Sequence, residues 1–300
     1  MLSLESYLAD IKFPYKNFDE KSALAVYKPR DPFGHKGTYG HALIIAGSYG
    51  KMGAALLAAR GCLCAGAGLL TTHIPACGYE IMQSVLPEAM VATDKDKYHL
   101  STMPGQTEIF QSVGIGPGIG KHPDTIALLK NAIKKIVSPL VLDADALNIM
   151  SVEKEFLTAL KHDTIITPHP KEFDRLFGES KTDLTRIEKA KQASAKYKIV
   201  IVLKGHYTAI FSPDGLVSFN TNGNAGMAKG GSGDALTGII TALLAQSYTP
   251  VESAQLGVFL HGAGGDIAAE LYSIEAMLPS DLINSLGKVF LKLNKLKIEI

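Results

Sequence analysis

Short apolar runs separated by longer amphipathic stretches recur along most of this chain. HALIIAG (41–47) reads as a buried strand ended by glycine, and LLTTHI (69–74), SVGIG (112–116), PLVLDA (139–144), TIIT (164–167), KIVIVLKG (198–205) and YTAIFS (207–212) repeat the pattern. Between them lie helical stretches, KMGAALLAARGCLCAGAG (51–68), DTIALLKNAIKKI (124–136), KEFDRLFG (171–178) and DLTRIEKAKQASAKY (183–197). Apolar strands alternating with helices predict a mainly parallel sheet covered on both faces. The final third reads as helical, with GDALTGIITALLAQ (233–246) and then SAQLGVFLHGAGGDIAAELY (253–272). Residues 1–34 are polar, aromatic-dotted and irregular, and read as an N-terminal extension, a helix and then a loop ending at Pro32. Residues 35–300 read as one domain, because no repeat, low-complexity tract or Pro/Ser-rich linker divides them.

Composition narrows the function classes. The 300 residues are 46% hydrophobic and 20% charged, enough to bury a large core without disulfides or metals. A net charge of +1 supplies no global field for nucleic acid or an anionic membrane, so neither is expected as a partner. Cys62, Cys64 and Cys77 make an odd set with no matching His/Cys group, which reads as packed thiols in a reducing compartment. MLSLESYLADIKF lacks the basic start and apolar run of a signal peptide, and no run reaches the roughly 18 to 20 apolar residues of a spanning helix. A cytoplasmic protein is expected.

In open α/β sheets ligands bind beyond the carboxyl ends of the strands. The polar or glycine-rich segments there are GIGPGIG after Val113, DADALN after Leu142, TPHPKEF after Ile166 and KGHYT after Leu203. A fifth, NTNGNAGMAKGGSGDALTG, runs from Asn220 into a long helix. Gly230, Gly231 and Gly233 surround Ser232 just before that helix, where free N–H groups and the helix dipole favour an anion. Asp234 could be a plain N-cap, but a cap needs no three neighbouring glycines. The pattern fits an anion hole for a transferring phosphoryl group, with Asp234 taking the proton of the attacking hydroxyl. One tension stands: a helix N-terminus lowers a carboxylate's pKa and weakens it as a base.

The other motifs carry blander alternatives. Asp143 and Asp145 read equally well as helix caps, His169 as part of a shaped loop, Lys204 as a turn residue or a phosphate contact, and His261 as a packed histidine. Lys134 and Lys135 read as a solvated face. GSYGKM places Met52 where a P-loop needs a hydroxyl, GIGPGIG lacks the GxGxxG spacing, and no GxSxG elbow occurs.

Taken together and in order, KGTYGHALIIAGSYGKMGAALLAARG, GPGIG, LDADALN, TPHPKEFDRL, LKGHYT and GNAGMAKGGSGDALTGI resemble the ADP/ATP-dependent NAD(P)H-hydrate dehydratases of the ribokinase superfamily. The resemblance runs from about Gly37 to the C-terminus. GGSGD alone is shared with sugar and vitamin kinases, whereas LDADALN, TPHPKEF and GNAGMA together are much more specific.

The resemblance implies a ribokinase-like three-layer α/β/α fold and a metabolite-repair enzyme. Such an enzyme phosphorylates the C6 hydroxyl of the S-form of NADH-hydrate or NADPH-hydrate, then eliminates phosphate. ADP giving AMP, or ATP, would be the co-substrate, with Mg²⁺ accompanying it, although no dedicated metal cage is legible. It implies Asp234 as base within the anion hole of Gly231, Ser232 and Gly233, with Lys204, Gly205, His206, Tyr207, Thr208 and Gly233 on the nucleotide. Ala54, Gly118 and His169 would contact the hydrated cofactor, with Asn148 and Glu172 in the same cleft. A homotetramer is implied, as is an upstream NAD(P)H-hydrate epimerase, expected to be separate because the chain is too short to carry one.

Three departures stand out. The family usually has Pro where Ala225 stands, Thr or Ser at Lys229, and GTGDV for GSGDA. Lys229 could alter nucleotide preference. Two other classes suit the pattern, a kinase of a small hydroxymethyl vitamin precursor or sugar and a non-catalytic nucleotide-binding protein. TPHPKEF and LDADALN disfavour the first, and the intact GGSGD disfavours the second.

Overall fold

The computed structural model describes residues 4–298. Its strands are β1 (Lys16–Asn17), β2 (His41–Ile45), β3 (Leu69–Ile74), β4 (Met90–Thr93), β5 (Ser112–Ile115), β6 (Leu140–Leu142), β7 (Ile165–Ile166), β8 (Val200–Leu203), β9 (Ala209–Phe211) and β10 (Val217–Phe219). They form one sheet in the order β1-β10-β9-β8-β7-β6-β5-β2-β3-β4. Every neighbouring pair from β8 to β4 is parallel; β9 runs antiparallel to both β8 and β10, and β1 lies parallel to β10.

The helices are α1 (Leu4–Tyr7), α2 (Glu20–Val26), α3 (Met52–Cys64), α4 (Tyr79–Val85), α5 (Pro123–Lys135), α6 (Asp145–Val152), α7 (Glu155–Ala159), α8 (Pro170–Phe177), α9 (Asp183–Tyr197), α10 (Ser232–Ala245), α11 (Pro250–Tyr272) and α12 (Pro279–Ile298). Because successive strand side chains point to opposite faces, β2 feeds two cores. Leu43 and Ile45 join Leu128, Leu147, Phe173 and Ile187 from α5, α6, α8 and α9. Ala42 and Ile44 join residues of α3, α10, α11 and α12. The result is the expected three-layer α/β/α arrangement around a mainly parallel sheet.

The helix that carries the candidate chemistry is the most deeply held. Leu236, Ile239, Ile240, Leu243 and Leu244 of α10 are all buried, each stabilising the fold by about 2 kcal/mol. The Ala/Gly-rich α3 packs against it so closely that a Cβ on Gly238 would lie 1.9 Å from the Ala58 carbonyl oxygen. That crossing is what the small residues of 51–68 serve.

Two readings need correction. The first 34 residues are not simply a helix and a loop: β1 extends the sheet, and Phe18, Ala23, Leu24 and Tyr27 are buried in the core of α11 and α12. Apart from Phe18 the apolar residues there form one run, ALAVY (23–27), too short for either period to register. The strands β4 and β10 and the helix α12 also lie outside the elements read from the pattern. No helix among the described residues is long and apolar enough to cross a membrane.

Candidate active site

The loops at the carboxyl ends of β6, β7 and β8 and the segment from β10 into α10 enclose a cavity of about 740 Å³. Asp143, His169, Glu172, Lys204, Gly205, His206 and Thr208 line it, opposite Asn220, Asn222 and the run from Met227 to Asp234. The fifth segment thus faces three of the other four.

At the start of α10 the cap is Gly231, with φ 99° and no side-chain cap hydrogen bond. A Cβ there would sit 2.4 Å from Leu57 Cδ1, a side-chain end that can turn aside, so it is the backbone hand that requires glycine. Asp234 lies two residues inside the helix and is not its N-cap, which removes the plain-cap alternative. Of the first-turn N–H groups of α10, that of Ser232 donates to Lys229 O at 3.3 Å, and those of Gly233 and Asp234 are left for a ligand. Burial, then the neighbouring Asp143 carboxylate, push Asp234 up to about 7, against the pull of Lys204. The helix N-terminus was expected to lower this group, but desolvation beside further carboxylates outweighs the dipole.

The carboxylate and ammonium groups of the opposite wall are tied together. Asp143, 1% exposed, accepts from Lys204 Nζ at 2.8 Å and from the Thr237 hydroxyl at 2.8 Å. A Cβ on Gly233 would lie 3.2 Å from the same Nζ, so this ammonium stands over the helix start. Neither Asp143 nor Asp145 is a cap: the N-cap of α6 is Ala144, at φ 50° and without a side-chain bond. Asp145 turns the other way and accepts from Gly120 N at 2.9 Å and Lys51 Nζ at 3.2 Å.

His169 caps α8, its Nδ1 accepting from Lys171 N at 3.2 Å and Glu172 N at 3.4 Å, while Glu172 Oε2 accepts from His169 N at 2.9 Å. Nδ1 is therefore unprotonated, and burial, then Lys204, lower this histidine, keeping it neutral. Burial raises Glu172.

Four expected site residues lie outside the cavity lining. Ala54 and Gly118 face each other beyond Asp145, a Cβ on Gly118 coming within 3.0 Å of Ala54 Cβ, and Ser48 Oγ donates to Gly118 O at 2.7 Å. Asn148 accepts from Arg175 Nη1 at 2.7 Å. Tyr207 packs on Tyr7, ring centroids 5.3 Å apart. Lys229 does not offer its charge to the anion hole, because its ammonium donates to the carbonyls of Glu275 and Met277 at 2.5 and 2.7 Å.

Sequence reasoning missed three supports. Asp143 was legible only as a strand-end carboxylate. Asp266 accepts from Gly223 N at 2.9 Å and from Asn224 Nδ2 at 3.0 Å, fixing the loop above the cavity, and nothing local signals that role. His261 lines the cavity and contacts Ser232.

The model of the NAD(P)H-hydrate dehydratase family matches residues 42–288. The chain belongs to that family. It is 36% identical to the ADP-dependent (S)-NAD(P)H-hydrate dehydratase of Bacillus subtilis, over 90% of this chain and 96% of that one. It is also 38% identical to the bifunctional NAD(P)H-hydrate repair enzyme of Moorella thermoacetica, over 96% of this chain and 58% of that protein. The chain thus spans little more than half the length of such bifunctional relatives. The crystal structure of the Bacillus subtilis ADP/ATP-dependent NAD(P)H-hydrate dehydratase, co-crystallised with ATP and Mg²⁺, superposes with a TM-score of 0.81 at 32% identity. It aligns over 93% of this chain and 99% of that one. A ribokinase-like superfamily protein of Enterococcus faecalis, 28% identical, superposes at 0.80, so the dehydratase-family chain has the ribokinase-like fold anticipated from its motifs. A hydroxyethylthiazole kinase of Pyrococcus horikoshii, 14% identical at 0.60, shares the fold alone.

Proposed function

We propose that this protein restores NADH or NADPH from the S-form of the corresponding hydrate, consuming a nucleotide. One observation carries the reading: a carboxylate raised to about 7 stands inside an uncapped, glycine-bounded helix start, in a cavity where the Lys204 ammonium stands over that start. Asp234 takes the proton of the C6 hydroxyl as the oxygen attacks the terminal phosphorus of ADP, the phosphoanhydride bond breaks, and AMP leaves. With ATP the same step releases ADP. Phosphate then departs from C6 while the neighbouring ring carbon loses a proton, and the C5–C6 double bond returns. Phosphorylation is what makes the elimination feasible, because phosphate leaves far more readily than hydroxide.

The first-turn N–H groups of Gly233 and Asp234, the Ser232 hydroxyl and the ammonium of Lys204 stabilise the charge developing on the transferring phosphoryl group. Gly205, His206 and Thr208 line the nucleotide side, with Tyr207 bracing that loop from behind. His169 and Glu172 line the hydrate side, with Asn148, Ala54 and Gly118 further along the cleft. The cavity's oxygen donors suit Mg²⁺, which binds through one or two carboxylates plus phosphates and would neutralise phosphate charge. Asp143 and Glu172 would hold it. The raised Glu172 and Asp234 fit this, because a cation offsets the crowding of carboxylates.

The names of the single-function relatives favour ADP and the S-form, which an epimerase partner would supply. Residues 35–300 would form the catalytic domain, with the first 34 as an appended edge. Exposed Tyr79, Ile81, Val85 and Met90 beside the sheet edge would be covered in a homotetramer, which light scattering tests. The decisive experiment incubates the protein with NADH-hydrate, Mg²⁺ and ADP or ATP. Nucleotide-dependent recovery of reduced-nicotinamide absorbance is expected. No recovery with either nucleotide, alongside phosphorylation of a hydroxymethyl vitamin precursor, would replace this reading with the kinase.

A further inference from the structure

His261 sits in the middle of α11, its residue 8% exposed, and its Nε2 lies 2.9 Å from the carbonyl oxygen of Ser232 and 3.2 Å from Ser232 Oγ. A carbonyl oxygen only accepts, so Nε2 carries the hydrogen and donates. The same N–H leans toward Oγ as a second acceptor, which leaves the serine's own hydrogen undirected by His261. Burial pushes this imidazole down to about 4, which keeps it neutral, so no positive charge competes with the anion hole for phosphate.

The helix that carries His261 is fixed at the neighbouring turns. Asn222 Nδ2 donates to Phe259 O at 3.0 Å, two residues before the histidine. Asp266, five residues after it, accepts from Gly223 N and Asn224 Nδ2. One helix therefore braces both the loop above the cavity and the first residue of α10. Ser232 needs such support because its cap, Gly231, supplies no side chain to hold the helix start.

We propose that His261 is a positioning residue: its Nε2–H locks the carbonyl and hydroxyl oxygen of Ser232, so that the Ser232 hydrogen and the first-turn N–H groups converge on the transferring phosphoryl group. It touches no reacting atom and acts only through Ser232. This inference rests on the phosphoryl-transfer reading above and adds a residue to it.

The test is a series at one position, assayed for nucleotide-dependent NADH recovery from NADH-hydrate. His261→Gln places a side-chain N–H close to the position of Nε2; His261→Asn is too short to reach it; His261→Leu has no donor. Misplacing an anion-hole group typically costs about 10- to 100-fold in turnover. The expected result is a fall of that size in kcat for the Leu and Asn variants, with KM for nucleotide and hydrate changed less than about threefold, and recovery to within about fivefold of wild type in His261→Gln. Thermal unfolding and nucleotide binding of each variant accompany the assay. Should His261→Leu fail to fold, the contrast of Gln with Asn carries the test.

Equal kcat in Gln and Asn, or losses that appear in KM and melting temperature but not in kcat, overturns the proposal in favour of a packing role. An inactive wild-type protein would instead defeat the function reading itself, and so is distinguishable. A second arm combines His261→Leu with Ser232→Ala. If the histidine works through the serine, the double variant loses less than the product of the single losses; a full product overturns it.

Discussion

Two helices start in the same cleft, and they treat their free N–H groups in opposite ways. The start of α8 is closed by its own chain, with His169 accepting from two backbone N–H groups and Glu172 reaching back to His169 N. The start of α10 has a glycine cap and no side-chain bond. A closed start is scaffold, since its dipole end is already satisfied. An open one, buried in a cavity and flanked by Lys204, is an anion site held ready by the packing of α3 and α11.

The largest expected effect comes from the acid group inside the open start. Asp234→Asn is expected to lower kcat about a thousandfold or more, on the scale of a general base lost from a concerted site. The same change should raise stability above neutral pH. Asp234 titrates at about 7 when folded and in the ordinary carboxylate range when unfolded, so its favourable contribution is complete at low pH and is lost as pH rises through about 7. Denaturant unfolding at pH 8 should show the Asn variant as the more stable protein, with a flatter pH profile than wild type. A wild-type kcat/KM that does not rise through pH 7, as the carboxylate of the free enzyme ionises, would count against the assignment.

Gly231→Ala should close the hole, and it combines a left-handed φ with the clash on Leu57. A loss of about 2–3 kcal/mol is expected in denaturant unfolding, and turnover about a hundredfold lower. Lys204→Ala removes a charged donor, and nucleotide affinity should fall about 10- to 100-fold by calorimetry. Because Asp143 is buried, that variant should also lose stability, by about 3 kcal/mol; a selective loss of hydrate binding would mean the two ligand pockets are reversed.

The smallest effect belongs to the closed start. His169→Ala should cost about 1 kcal/mol of stability through the α8 cap. His169→Asn should keep the cap, so any remaining loss of hydrate affinity in that variant measures the contact and not the scaffold.

The parallel sheet was legible because its strands are apolar on both faces and stop at glycines or polar turns. The hole was legible because glycines crowd one helix start. What escaped were features whose partners lie far along the chain. β1 gains its place only by pairing with β10, and nothing in Lys16–Asn17 announces that. His261 looks like a core histidine until Ser232, on another helix, comes within reach. Lys229 looked free to meet phosphate, but the carbonyls that hold it belong to a loop nearly fifty residues away. The direction of the Asp234 shift depends on how many carboxylates share one cavity, which no local pattern counts.

The left-handed cap of α10 also limits how this protein can change over generations. Trimming Leu57 to alanine would clear the space beside residue 231, yet the φ of 99° would remain. No neighbour can therefore compensate for a side chain there, and the position offers no neutral path by single substitutions.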